Sequence, residues 1–180
     1  MEETELIKRC QKADPKAQEL LYARFSDKMF RVGYRYLKSE VETEDVIIVA
    51  FGKVFTSIKS FTYQGPGSLD AWLQKIVVNE SLMGLRRKHN FHLTESIDES
   101  LPEADLKQFS ESGADDIYKM ITQLPTGYRT VFNLNAVEGY SHEEIATLLG
   151  ISEGTSRSQL FKAKALLKKM LTREGFHYGT

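Results

Sequence analysis

Residues 141–162 read Ser141-His142-Glu143-Glu144-Ile145-Ala146-Thr147-Leu148-Leu149-Gly150-Ile151-Ser152-Glu153-Gly154-Thr155-Ser156-Arg157-Ser158-Gln159-Leu160-Phe161-Lys162. Ser141 with Glu144 three residues on is a capping box: hydroxyl and carboxylate each satisfy a backbone N–H that an opening helix leaves unpaired. Ile145, Leu148 and Leu149 follow at helical spacing as an inner face, Gly150 suits the left-handed residue that ends a helix, and Ser152 is a second N-cap. Two helices joined by so short a turn form a helix-turn-helix, whose second helix enters the major groove where the motif reads DNA.

The exposed face of that second helix is expected to carry Glu153, Thr155, Ser156, Arg157, Ser158, Gln159 and Lys162, with no acidic residue between Gly154 and Lys169. Arg157 suits a bidentate contact to guanine and Gln159 one to adenine, while Lys162 and Lys164 suit phosphates. A merely solvated amphipathic helix has the same spacing, so the pattern alone leaves both readings open. Working outward, Tyr128, Val131, Phe132 and Leu134 begin the preceding helix. Before it Ile117, Ile121 and Leu124 form an apolar stripe that Pro125 ends.

The N-terminal half also reads as helix. Asp14-Pro15 is a start signal, and Leu21, Phe25, Met29, Val32 and Tyr36 follow at spacings of three and four. A second helix is expected from about Val41 to Ile58. A third starts near Ser68 and carries Leu69, Trp72, Leu73, Ile76, Val77 and Leu82 towards Arg86-Arg87-Lys88. Tyr63-Gln64-Gly65-Pro66-Gly67 between them must be a loop. No stretch alternates with period two for long, so the expected fold is all-α.

The 24 Lys+Arg and 25 Asp+Glu give a net charge of −1, which argues against a simple polycation that coats nucleic acid. The balance conceals a segregation. Residues 1–90 carry +3, residues 91–116 carry −7 and residues 117–180 carry +3. The chain therefore reads as two mildly basic helical domains joined by an acidic flexible linker, 91–116, which is either simply solvated or shields a basic surface.

The composition, 41% hydrophobic and 27% charged, is that of a folded soluble protein. No stretch approaches the roughly 18 apolar residues of a membrane span, and the acidic start lacks the order of a secretory signal. A single cysteine, Cys10, excludes an internal disulfide and reads as a small buried hydrophobe. These features point to the cytoplasm. His89 and His92 lack a Cys or carboxylate ligand set and read as linker surface, and His142-Glu143-Glu144 is explained by capping. No nucleophile–base–acid motif and no phosphate loop occur, so no enzyme activity, metal or cofactor is expected.

Leu124-Pro125, Tyr128-Arg129, Val131-Phe132, the run Glu138 to Ala146 and the run Gly150 to Ser158 closely resemble the C-terminal, −35-binding domain of the extracytoplasmic-function sigma factors of bacterial RNA polymerase. Phe25, Met29, Tyr36-Leu37, Glu44-Asp45-Val46, Ala50-Phe51, Lys53-Val54-Phe55, Trp72-Leu73, Asn79 and Leu85-Arg86-Arg87 resemble the family's N-terminal domain, which binds the polymerase clamp and melts the −10 element. The resemblance implies that Arg157, Ser158, Phe161 and Lys162 occupy −35-contacting positions. It sets the −10 base pocket at the loop of Phe61 and Tyr63, with Lys75 and Asn79 at nucleic-acid-contacting positions.

The chemistry agrees, since opening DNA without ATP requires trapping an unstacked base, with cations nearby to hold the strand. Arg86 and Arg87 suit that strand, although cations also favour a helix C-terminus for its dipole alone. Trp72 reads rather as core. The implied partners are promoter DNA, the clamp of the largest polymerase subunit, the flap of the second largest and an anti-sigma factor.

Three departures stand out. Gln159 stands where many relatives have Arg, and Met83 where Asp or Asn is common. Ile48-Val49 replaces a Gln followed by an acidic residue on the clamp-docking helix. Helical phase puts Val46, Ile47, Ala50, Phe51, Val54 and Ile58 on one arc, the expected core. Asp45, Ile48, Val49, Gly52 and Thr56 lie opposite, so Ile48 and Val49 are expected as exposed apolar residues of a core-polymerase contact with Asp45 and Gly52. Two rivals remain: a free-standing helix-turn-helix regulator, and a helical protein that sequesters a partner.

Overall fold

The structure, a computed structural model, describes residues 1–88 and 113–173, and the chain divides into two compact units, Met1–Phe91 and His92–Thr180. Among the described residues there is no strand. The linker's main part, with His89 and His92, lies outside the described residues.

The first unit holds α1 (Glu3–Gln11), α2 (Pro15–Leu37), α3 (Glu40–Ser57), a 3₁₀ turn (Ile58–Ser60) and α4 (Ser68–Lys88). The Asp14 carboxylate caps α2, accepting from the N–H groups of Lys16 (3.0 Å) and Ala17 (3.4 Å), with Pro15 at the first helical position. Arg9 Nε donates to the same carboxylate (2.7 Å) and holds its pKa below the usual aspartate value. Leu21, Phe25, Met29, Val32 and Tyr36 of α2 are buried as the spacing requires, against Val46, Ile47, Ala50, Phe51 and Val54 of α3 and Leu69, Leu73, Val77 and Leu82 of α4. Burying each large apolar side chain stabilises the fold by about 1.5–3 kcal/mol. At Gly33 a Cβ would stand 3.1 Å from Thr43 Cγ2, so the α2–α3 approach depends on the missing side chain. Helix α1, which the sequence spacing does not announce, buries Leu6, Ile7 and Cys10. Burial pushes the Cys10 thiol up, which suppresses the reactive thiolate.

The second unit comprises α5 (Gly113–Gln123), α6 (Thr126–Phe132), a π turn (Asn133–Val137), α7 (His142–Leu149) and α8 (Glu153–Arg173). Met120, Ile121, Leu124, Tyr128, Ala163, Leu166, Leu167 and Met170 form its core. Of the stripe expected on α5, Ile121 and Leu124 are buried and only Ile117 departs. Met120 takes the buried place, and Ile117 is exposed. Because α5 starts at Gly113, Asp115 and Asp116 belong to its acidic first turn, where carboxylates favour the helix dipole, rather than to the linker. Arg129 is buried and its Nη1 donates to the Leu124 carbonyl (2.8 Å), satisfying a group at the end of α5. No helix among the described residues is long and apolar enough to cross a membrane.

Candidate nucleic-acid interface

The helix-turn-helix is built as its caps dictate. Ser141 Oγ accepts from Glu144 N–H (3.2 Å), and the Glu144 carboxylate accepts from Ser141 N–H (2.8 Å). Gly150 ends α7 in the left-handed region at φ +68°, where a side chain would be strained. Ser152 Oγ then accepts from Thr155 N–H (3.0 Å) and pairs with the Thr155 hydroxyl (2.9 Å), so Thr155 is engaged in the cap. Of the apolar residues on α7 only Ile145 is fully buried; Leu148 and Leu149 are half-buried.

Helix α8 divides the expected reading face in two. Arg157, Ser158, Phe161 and Lys162 are exposed, Phe161 at 76%. Ser156 and Gln159 are not on that face: they are 0% and 9% exposed. They share the inward stripe Ser156, Gln159, Leu160, Ala163, Leu166, Leu167, Met170. Helical phase decides this, since spacings of three and four keep both polar residues in line with the core leucines. Ser156 Oγ lies 2.8 Å from His142 Nδ1, a polar clasp between α7 and α8 that the sequence reading missed. Buried in this way, Gln159 does not present its amide to adenine as its polarity suggests, and its departure from the family pattern falls on packing. Arg157 is held by Glu153 one turn back (2.7 Å), and Lys162 Nζ lies 6.0 Å from the Tyr128 ring centroid.

In the first unit the loop between the 3₁₀ turn and α4 is fastened at both ends. Ser68 Oγ donates to the Gly65 carbonyl (2.7 Å) and accepts from Gln64 N–H (3.2 Å), while Gly65 and Gly67 take φ values of +116° and +84°. The Phe61 ring packs on Trp72, centroids 4.9 Å apart, so Phe61 anchors the loop and Tyr63 stands exposed at its outer part. Lys75, Asn79 and Arg86 follow on one stripe of α4, with Lys75 and Arg86 exposed and Asn79 half-buried; the exposed Met83 lies on the same stripe.

Arg87 is set apart from them. With Asp45, Val49, Glu42 and Glu80 it lines a groove of about 320 Å³ between α3 and α4, and Lys53 pairs with Glu80 beside it. The α3 arc is as its phase requires: Asp45, Ile48 (68%), Val49 (44%) and Gly52 are all exposed, and a Cβ at Gly52 would meet nothing within 4 Å.

A helix-turn-helix in one unit, and a fastened loop beside a cationic helix stripe in the other, define a two-part DNA-binding protein. Residues 21–91 match the family Sigma-70 region 2 and residues 114–167 match Sigma-70, region 4. The chain is 30% identical over 173 residues to the ECF RNA polymerase sigma-E factor of Escherichia coli strain K12, covering 88% of each chain. It is 29% identical over 175 residues to the ECF RNA polymerase sigma factor SigE of Mycolicibacterium smegmatis, covering 91% of this chain and 64% of that relative. Its fold is shared with a sigma factor RpoE solved in complex with the anti-sigma factor NepR from Bartonella quintana. That match has a TM-score of 0.51 at 21% identity, covering 86% of this chain and 96% of that one. The chain belongs to the extracytoplasmic-function sigma factors of the sigma-70 family. Its function is promoter-specific initiation of transcription by RNA polymerase.

Proposed function

We propose that the work of initiation is divided between the two units. The outer face of α8, through Arg157, Ser158, Phe161 and Lys162, reads the −35 element. The Tyr63 loop with Lys75, Asn79 and Arg86 captures the opened −10 strand. The observation that carries this reading is the division of α8, whose inner stripe is committed to the core while those four side chains stay exposed. An exposed Arg can make the bidentate guanine contact once it exchanges Glu153 for a base, and Lys162 supplies affinity through phosphate.

The α3 arc of Asp45, Ile48, Val49 and Gly52, with Arg87 in the adjoining groove, docks on the polymerase clamp, and the C-terminal unit engages the flap. Two exposed apolar side chains beside a bare glycine favour close packing against a partner helix. A helix-interior glycine costs about 1 kcal/mol against alanine, and packing within this chain does not require it. An anti-sigma factor is the expected negative regulator, as in the complex of the related RpoE. The protein acts in the cytoplasm, as a specificity subunit and not a catalyst.

Residues 1–90 carry only +3, and the C-terminal unit, once Asp115 and Asp116 are counted with α5, only +1, so duplex DNA is bound weakly until polymerase sets both halves on the promoter. The test combines core polymerase with this chain on a promoter located by mapping start sites after overexpression. Run-off transcript that depends on both the chain and the −35 sequence is expected. Tight, specific duplex binding by the chain alone, without transcription, would establish a free-standing regulator instead.

A further inference from the structure

Helix α1 and the loop at residues 61–67 are joined by one side chain. Gln11 Nε2 donates to the carbonyls of Ile58 (3.2 Å) and Phe61 (2.9 Å), 47 and 50 residues away. Ile58 opens the 3₁₀ turn that leads into the loop and Phe61 follows it, and Phe61 N–H closes that turn on the Ile58 carbonyl (3.0 Å). Phe61 is thus clamped by its backbone from α1 and by its ring from Trp72 of α4. Ser68 fastens the far end.

We propose that Gln11 is a positioning residue for capture of the −10 strand: its amide holds the start of the Tyr63 loop in the conformation that receives an unstacked base. The inference rests on the reading of that loop as the −10 element's receptor. Fixing a residue's backbone costs about 1–2 kcal/mol, so a loop ordered in advance binds its base without that cost. One amide bridging two carbonyls does this without touching DNA. A lysine would add charge at the loop, and a leucine would leave both carbonyls without this donor.

The test uses holoenzyme assembled from core polymerase and full-length chain, with a fluorescent single-stranded oligonucleotide of the mapped −10 non-template sequence. Gln11→Leu keeps the volume and removes the donor. Gln11→Asn keeps the amide but is too short to reach both carbonyls. Both should bind the oligonucleotide about tenfold more weakly, with core affinity and −35 duplex binding within about twofold of wild type. A purely structural role would instead lower core affinity and strand capture together, and that result overturns the proposal. Tyr63→Ala is the control on the underlying reading. If it weakens capture while both Gln11 variants, folded by circular dichroism, bind as wild type, Gln11 has no positioning role. If Tyr63→Ala also binds as wild type, the loop is not the receptor and the proposal falls with it.

Discussion

Helices α3 and α8 both break the rule of apolar inside and polar outside, in opposite senses. On α3 two aliphatic residues, Ile48 and Val49, face outward; on α8 two polar residues, Ser156 and Gln159, face the core, and Phe161 faces outward. In both helices phase sets the side and residue type sets the chemistry found there. On the proposed reading, the exposed apolar pair marks a surface for a protein partner. Buried polar residues mark an internal contact, such as the His142–Ser156 clasp. Assigning a side by polarity fails on α8, and assigning it by phase succeeds on α3.

The largest effect expected from this contrast is at the α3 surface. Replacing the exposed pair, Ile48→Gln with Val49→Glu, should weaken core-polymerase binding by roughly tenfold or more, because buried apolar area at a docked interface is lost. The stability of the free protein should change by less than about 0.5 kcal/mol for a surface change. Competition for core against an unrelated sigma factor measures the first and thermal unfolding the second. Unchanged or tighter binding would refute packing at this site.

The mirror experiment on α8 affects folding rather than binding. Ser156→Ala removes the partner of His142 and should destabilise the protein by about 1 kcal/mol in denaturant unfolding, with core affinity unaltered. Gly52→Ala should do the reverse on α3. It should stabilise the free protein by up to about 1 kcal/mol, since the Cβ meets open space, while reducing affinity for core by crowding the docked partner.

The smallest effect is outside both helices, at the Asp14 cap. Arg9 depresses the Asp14 pKa, so this carboxyl holds fewer protons folded than unfolded at low pH. Its contribution is therefore full above the unfolded value, about pH 4, and disappears as pH falls through the lower folded value. The melting-temperature advantage of wild type over Asp14→Asn should shrink as pH falls below about 4.

The sequence carried most of the architecture because its signals are local. The Asp14-Pro15 start, the Ser141–Glu144 box, Gly150 and the α2 stripe each state a boundary or a face within a few residues. Helix α1 was not legible: three apolar residues in nine give too little periodicity to distinguish it. The π turn after α6 shifts residues against the 3.6 period without a compositional mark. The Gln11 bridge could not be read at all, since it joins positions 47 and 50 residues apart. Ser156 and Gln159 were legible but misread, for spacing already aligned them with Leu160, Ala163 and Leu167. Arg87 lay next to Arg86 in sequence, yet one residue along a helix is a turn of about 100°, enough to reach a different groove.

The claim that phase decides which α8 residues read DNA is tested most directly by selecting −35 sequences from a randomised promoter pool. Holoenzymes carrying wild type, Gln159→Leu and Arg157→Lys would be compared. The selected consensus should be the same for wild type and Gln159→Leu, and altered or relaxed at one or more positions for Arg157→Lys. A consensus that changes with Gln159→Leu and survives Arg157→Lys would contradict the account.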